Sequence, residues 1–304
     1  MYSGQSGIFA VGTASHAYLE FDLRPGGGPL QAAQILSSLL IEPTPAVSGV
    51  NIVTGFRPEM WRGIAPDQIP ANVVGFNQPL QGAEGFTMAA TQHDLFVWIA
   101  GVAYDKVYDA VRETTCRLDE AALLADETDG FVYQGNRDLI GFIDGTENPP
   151  LVETPEVVLV PEGQPGAGGS ILLVQKWIHD AKAWEALPDS EQEKAVGRTK
   201  ADSVQLPLLV RGPHAHVTRM VVTENGEELR IFRRNTNFGT PASHGTMFIG
   251  FAAKQHNLAR MLRRMAGAEG GIRDALTYYA AAVTGSYYFV PSVQALRGLV
   301  PEES

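Results

Sequence analysis

One stretch of nine residues places a carboxylate between two glycines: Gly141-Phe142-Ile143-Asp144-Gly145-Thr146-Glu147-Asn148-Pro149. The two glycines allow tight backbone geometry and let a large, flat group approach the main chain. The Asn-Pro pair at its end favours a turn and stops any helix. Two plainer interpretations stay open: a surface turn, for which these are the usual residues, and a phosphatase-type Asp-x-Asp-Gly-Thr loop. The second would place its nucleophile at Phe142, which has none.

The composition around this stretch is that of a globular protein. Of 304 residues, 44% are hydrophobic and 19% charged, which suits one large domain or two ordinary ones. The net charge of -11 argues against a general nucleic-acid binder, because phosphate contacts need a basic face. No apolar run approaches the ~20 residues that span a bilayer, and residues 1–8 lack a secretion signal. We therefore expect a cytoplasmic protein without a membrane partner. The single cysteine, Cys116, excludes a Cys-rich metal cluster.

Upstream of the stretch, apolar residues recur at strand and helix spacing. The predicted elements are, in chain order, strand 17–21, helix 30–40, strands 47–55 and 94–101, helix 104–118 and strand 131–133. Residues 94–101 are so apolar that they predict a strand buried on both faces. Residues 57–92, rich in Pro, Gly, Asn and Gln, predict a long surface loop.

Downstream, a Pro-, Gly- and Glu-rich linker at 149–169 marks a boundary. The predicted elements that follow are strand 170–178, helix 180–196, strands 216–222, 229–233 and 246–252, helix 254–265 and strand 286–290. Asn225-Gly226 is the strongest hairpin signal in the chain. Because the same order of elements occurs twice, we predict two α+β halves, residues 1–150 and 151–304. Each half is an antiparallel sheet with helices on one face.

Two histidines lie two positions apart in the second half, His214 and His216. If this segment is a strand, alternation places both on one face. A zinc site is one interpretation, but nothing nearby supplies the other ligands. The alternative is that one histidine binds a haem iron and the other is structural.

A second candidate segment contains two adjacent arginines. Alternation sends Arg233 and Asn235 to one face and Arg234 to the other, so one arginine points inward and its neighbour is solvated. An inward guanidinium needs an anion, for which Asp144 is a candidate. The plainer interpretation is that both arginines lie on an exposed hairpin.

The nine-residue stretch resembles the distal-pocket motif of the dye-decolorizing peroxidases, haem enzymes with two ferredoxin-like domains. The likeness continues, in the family's order, through Val174-Gln175-Lys176-Trp177, Gly197-Arg198-Thr199-Lys200, His216-Val217-Thr218-Arg219, Arg233-x-Asn235, His244-Gly245 and residues 283–292. It covers nearly the whole chain and is most similar to the bacterial B-type, or P-type, branch. The resemblance implies a duplicated ferredoxin-like fold that binds haem b mainly through its C-terminal half.

The resemblance also implies a role for each matched residue. His216 becomes the proximal iron ligand, and Asp274 the carboxylate that orients it. Asp144 and Arg233 become the distal pair above the iron, with Asn235 as a third polar group that holds water or peroxide. The other implied cofactor-binding residues are Arg198 at a haem propionate, Thr146 and Glu147 in the distal motif, and Phe248 above the porphyrin.

The implied function is a haem peroxidase that uses hydrogen peroxide to oxidise small aromatic donors and dyes, by one-electron steps through a ferryl intermediate. Asp144 would move the peroxide proton, and Arg233 would stabilise the anions that form. Because carboxylic acids titrate at acidic pH, we expect an acidic pH optimum. A haem-handling protein with incidental peroxidase activity is the alternative, and a metal-free interaction module is a third. The relatives also imply a homo-oligomer.

Overall fold

The structure is a computed structural model that describes residues 3–41, 47 and 49–300; residue 48 of the predicted strand 47–55 and both chain ends lie outside these residues. Its strands are β1 (Ser15–Leu23), β2 (Val50–Phe56), β3 (Leu80–Gln81), β4 (Thr87–Met88), β5 (Leu95–Gly101), β6 (Ala122–Phe131), β7 (Ser170–His179), β8 (Thr223–Glu224), β9 (Glu227–Glu228), β10 (Phe232–Arg233), β11 (Thr236–Thr240), β12 (Ser243–Ala252), β13 (Ala280–Ala282) and β14 (Ser286–Val290). Its α-helices are α1 (Pro29–Ile41), α2 (Pro58–Ile64), α3 (Tyr104–Leu118), α4 (Thr154–Val158), α5 (Ala181–Glu185), α6 (Asp189–Val196), α7 (Leu208–Arg211), α8 (His216–Met220), α9 (Gln255–Met265) and α10 (Val293–Arg297). Within the described residues, no helix has both the length and the apolar character needed to cross a membrane.

Antiparallel pairing joins strands from both halves of the chain into one sheet. Among the described residues, its strand order is β10-β12-β11-β6-β1-β5-β2-β14-β7-β13. β12 also pairs with β7, from Gly245 opposite Ile178 to Ala252 opposite Ile171, and this pairing closes the sheet on itself. The predicted α+β class with antiparallel sheets and helices is confirmed. The two predicted sheets are in fact continuous, because β2 pairs with β14 and β6 pairs with β11.

Strand β5 shows how one strand serves both sides of this sheet. Its side chains alternate, so Phe96 and Trp98 join the apolar cluster inside the closed sheet. Leu95, Val97 and Ile99 join the larger cluster on the outer side, which α3 covers. Every residue of β5 is buried, which confirms the prediction of a strand buried on both faces.

A polar group lies among the apolar side chains inside the closed sheet. Trp98 Nε1 donates to His16 Nδ1 at 3.1 Å, and because an indole can only donate, the His16 ring is neutral. Burial lowers the pKa of His16 to about 4. Beside it, the Arg234 guanidinium lies 5.0 Å from the Trp98 ring centroid and donates to Ile8 O at 2.9 Å. The prediction that Arg234 is solvated is therefore wrong, and burial lowers its pKa to about 10.

His16 should destabilise the fold as the pH falls. Its pKa drops from 6.5 to about 4 on folding, so between these values the unfolded chain binds more protons and the free energy of unfolding decreases toward acid. At about 1.4 kcal/mol per pKa unit, we expect a loss of about 3 kcal/mol between pH 7 and pH 4. Urea titrations of the wild type and His16→Gln at these two pH values measure it. The decrease in the free energy of unfolding should be smaller in the variant by about that amount. An equal decrease in both proteins contradicts the prediction.

The predicted strand 216–222 is instead the short helix α8. Val217, Thr218 and the following valines fit a strand locally, but contacts with other elements override such a preference. α8 packs on α9, and the two helices exchange hydrogen bonds: Arg264 Nε donates to Arg219 O at 3.1 Å, and Arg219 Nη2 donates to Arg264 O at 3.0 Å. These contacts with α9 stabilise a helix that begins at His216.

Connections predicted as irregular also carry structure. The predicted linker 149–169 contains α4, which is tied to the sheet because Ala253 N donates to Val157 O at 3.0 Å. The predicted loop 57–92 contains α2 and the β3–β4 hairpin. The Asn225-Gly226 turn is confirmed: it joins β8 to β9, and both of its residues have positive φ.

Candidate active site

A cavity of about 420 Å³ opens between the outer face of the closed sheet and helices α8 and α9. Alternate residues of β7 and β12 form its floor, while α8 and α9 supply the opposite wall. The predicted site residues that line it are Asp144, Thr146, Glu147, Arg198, His216, Arg233, Asn235 and Phe248. Asp274 is the exception, because it lies behind His216. Residues far apart in sequence are thus brought to one cavity.

The wall formed by α8 presents one oriented imidazole. His216 Nδ1 donates to Asp274 Oδ2 at 2.7 Å, and Asp274 Oδ1 accepts from Leu276 N at 2.9 Å. The Asp274 side chain is fully buried, whereas that of His216 is 25% exposed. Because Nδ1 carries the shared proton, Nε2 keeps its lone pair for a ligand. His214, the other histidine of this segment, lies near Arg273 O at 3.0 Å and does not line the cavity.

Hydrogen bonds from its backbone N–H groups hold the loop that contains Asp144. Asp144 N donates to Asn136 O at 2.9 Å, and Gly145 N donates to Asp144 Oδ1 at 2.6 Å. Gly145 has φ +77 and Gly141 has φ +96. Both positions therefore use the backbone freedom of glycine, as the sequence predicts. A Cβ on Gly141 would lie 2.7 Å from Lys200 Cε. The loop therefore packs tightly against the segment that carries Arg198.

Arg233 and Asn235 lie on the cavity side of their segment, as alternation predicts. Asn235 Oδ1 accepts from Ile249 N at 3.3 Å, which leaves its NH₂ group as the donor for a bound ligand. Among the described residues, Arg233 forms no ion pair with Asp144. The expected pairing of these two side chains is therefore not made, although both line the same cavity.

A cationic group lies at one end of the cavity. Arg198 Nη2 pairs with Glu147 Oε1, and Arg198 Nη1 donates to Ser203 O at 2.6 Å. Burial, followed by the charges of Arg233 and Arg211, lowers the pKa of Arg198. Positive charge is thus concentrated beyond what Glu147 neutralises, which favours an anionic ligand group at this end.

Sequence reasoning missed a second polar group in the cavity wall. The Thr246 hydroxyl donates to Asp138 Oδ2, and His179 Nε2 lies 3.1 Å from Thr246 Oγ1. Burial lowers the pKa of His179, an effect that Asp138 opposes. Strand alternation could have predicted that His179 faces the cavity together with Gln175 and Trp177. No sequence pattern predicts the position of Asp138, because it depends on the conformation of the loop that contains it.

The cavity fits a flat iron macrocycle. No group of three His, Cys, Asp or Glu side chains within the described residues could hold a metal ion, so a metal at His216 needs a cofactor that supplies the other ligands. Phe248, Leu258 and Leu262 contribute apolar surface on opposite walls. The arginine suits carboxylate substituents, and Asp144, Arg233 and Asn235 line the same cavity as His216. These are the features that haem requires of a protein.

Comparison with known proteins agrees with this chemistry. The family model described as "Dyp-type peroxidase, C-terminal" matches residues 135–295. A dye-decolorizing peroxidase of Brevibacterium linens is 35% identical over 248 residues, which are 80% of this chain and 67% of the relative. One of Mycobacterium tuberculosis is 34% identical over 252 residues, which are 81% of this chain and 75% of the relative.

Solved structures are similar over almost the whole chain. A dye-decolorizing peroxidase from Bacteroides thetaiotaomicron is 28% identical with a TM-score of 0.89, and the match covers 98% of both chains. A variant of DypB from Rhodococcus jostii RHA1 in complex with haem is 32% identical with a TM-score of 0.86. That match covers 93% of this chain and 95% of the other.

Proposed function

The chain belongs to the Dyp-type peroxidase family, and from that premise we propose that its haem lies in the cavity between His216 and the group Asp144, Arg233 and Asn235. The protein is a haem-dependent peroxidase, with haem b as its cofactor and hydrogen peroxide and organic donors as its substrates. The observation that carries the site assignment is the His216–Asp274 hydrogen bond of 2.7 Å at the cavity wall. It orients one imidazole and leaves Nε2 free.

Residues on the imidazole side would bind and orient the cofactor. The haem supplies the electron-transfer chemistry when it is bound. His216 would ligate the iron, and the buried Asp274 carboxylate would strengthen the electron donation of the ring through Nδ1. Arg198 would hold a propionate, with Thr146 and Glu147 at the same end, and Phe248 would pack on the face of the macrocycle. Most cofactor contacts would then come from the C-terminal half of a duplicated ferredoxin-like fold.

Residues on the opposite side would act on peroxide. The Asp144 carboxylate would take the proton from one peroxide oxygen and return it to the other, which leaves as water when the O–O bond breaks. The two electrons for that cleavage would come from the bound haem. The Arg233 guanidinium would stabilise negative charge on the oxygens without exchanging a proton. The Asn235 NH₂ group would donate a hydrogen bond that holds peroxide or water in place. Small aromatic molecules are the proposed donors.

Replacing Asp144 by Asn should slow the reaction with peroxide by about 10²–10⁴-fold, the usual contribution of a positioned acid–base group. Asparagine keeps the shape but cannot carry the proton. Stopped-flow mixing of the haem-loaded protein with one equivalent of peroxide, followed by absorbance, measures the rate constant. Repeating the measurement across pH tests the acidic pH optimum expected from the sequence.

Asp138 provides the comparison, since it lies in the same cavity but bonds to Thr246. If Asp138→Asn is slowed as much as Asp144→Asn, the proton is not carried by Asp144 alone. If Asp144→Asn reacts like the wild type, the assignment is wrong. The homo-oligomer, the cytoplasmic location and the division at residue 150 stay predictions; the family model begins at residue 135.

A further inference from the structure

Arg233 lies on a strand that has no neighbour on one side. β10 is the last strand of the sheet order and pairs with β12 alone among the described strands. Arg234 N donates to Ile249 O at 2.9 Å. Because hydrogen bonds alternate along an antiparallel strand, the backbone groups of Arg233 point to the open edge. Unpaired edge groups of this kind need another partner.

The side chain of Asn148 supplies that partner. Its Oδ1 accepts from Arg233 N at 2.9 Å, and its Nδ2 donates to Arg233 O at 2.8 Å. One carboxamide thus makes both hydrogen bonds that a residue of a neighbouring antiparallel strand would make. Aspartate, leucine or alanine could not make this pair of bonds, because none has both a donor and an acceptor.

Asn148 belongs to the same loop as Asp144. Asn148 N donates to Gly145 O at 3.0 Å, which closes the turn that follows Asp144. A Cβ on Gly145 would lie 3.3 Å from Asn148 Nδ2, so the glycine leaves the amide room to reach the strand. Only one short turn and two hydrogen bonds therefore separate Asp144 from the backbone of Arg233.

We propose that Asn148 is a positioning residue that sets the Arg233 guanidinium relative to the Asp144 carboxylate. The proposal rests on the proposed function of these two side chains. Asn148 itself need not touch substrate. Since Asp144 and Arg233 form no ion pair with each other among the described residues, their separation depends on the backbone, and this amide is the direct link between their segments.

Asn237 offers a matched control. Its carboxamide also makes two hydrogen bonds to the loop, with Nδ2 donating to Arg137 O at 2.8 Å and Oδ1 accepting from Leu139 N at 3.0 Å. It therefore ties the same loop to the same region of the sheet. Within the described residues, its carboxamide forms no hydrogen bond with the backbone of Arg233. A purely structural role for Asn148 predicts that both alanine variants behave alike.

The test uses cyanide, an anionic ligand of ferric haem, titrated into the haem-loaded protein by absorbance. Asn148→Ala and Asn148→Asp should weaken cyanide binding by about tenfold or more, the cost of one misaligned charge-assisted hydrogen bond. Haem content should not change, because His216 is untouched. Asn237→Ala should stay within about threefold of the wild type, even where it lowers the melting temperature.

A double-variant cycle decides whether Asn148 acts through Arg233. In the Arg233→Leu background, removing Asn148 should change cyanide affinity by less than about threefold. Equal losses in both backgrounds overturn the proposal, as does an Asn148→Ala protein that matches Asn237→Ala. Failure of the proposed function gives a different result: Arg233→Leu alone would then leave cyanide affinity unchanged.

Discussion

The His216→Ala protein should fold but fail to retain haem. Of the described residues, two histidines line the cavity: the Nε2 atom of His179 lies 3.1 Å from the Thr246 hydroxyl, whereas Nε2 of His216 forms no hydrogen bond. Loss of an outer partner of a ligating imidazole costs about 10–100-fold in affinity, so loss of the ligand itself should cost at least as much. Absorbance titration of the apoprotein with haemin measures the dissociation constant, and circular dichroism checks the fold.

His214→Ala is the control for this experiment. His214 lies two residues away on the same segment but is exposed and bonds to the backbone of Arg273, so its removal should leave haem affinity unchanged. Wild-type affinity in His216→Ala would contradict the assignment of the iron ligand. If His179→Ala lost haem instead, the iron ligand would lie on β7, and the opposite face of the haem would be the one that is ligated.

The Arg233→Leu protein should keep its haem and lose most of its reactivity toward peroxide. Leucine retains much of the aliphatic stem but removes the fixed cation, whose field contributes to the lowered pKa of Arg198. Removing one preorganised donor from a developing anion costs about 10²–10³-fold in rate. Stopped-flow absorbance under pseudo-first-order peroxide gives the rate constant, and the haem-to-protein ratio shows that the cofactor is still bound.

The neighbouring arginine serves as the control. Arg234 has the same charge, but its guanidinium lies inside the closed sheet over Trp98. Arg234→Leu should alter the free energy of unfolding and leave the peroxide rate constant within about threefold of the wild type. Equal losses of rate in both variants would mean that net charge, rather than a positioned guanidinium, accelerates the reaction.

The sequence predicted those features that depend on local pattern. Residues 94–101 were recognisable because apolar residues fill both faces, and the Asn225-Gly226 turn because few other residues adopt its backbone. The motif around Asp144 and the histidine at 216 were identified by resemblance, and the structure places both at one cavity. Strand alternation correctly separated Arg233 from Arg234, although it misjudged the surroundings of Arg234.

The remaining features depend on contacts between distant segments. β6 was largely missed because residues 123–125 and 127 are exposed and the segment is partly acidic, so it lacks an alternating apolar pattern. α8 was predicted as a strand because its packing on α9 cannot be inferred from its own residues. The role of Asn148 was hidden for the same reason, since its partner is 85 positions away. Closure of the sheet likewise depends on β12 pairing with β7.

Two strand pairings join the halves of the chain in the closed sheet, and they limit where the gene can be divided. β2 pairs with β14, and β6 pairs with β11. A cut near residue 150 would therefore leave each fragment with unpaired strand edges. The aromatic rings of Phe96 and Trp98 would then face water. We therefore expect the two fragments to fold only when both are made together and reassemble.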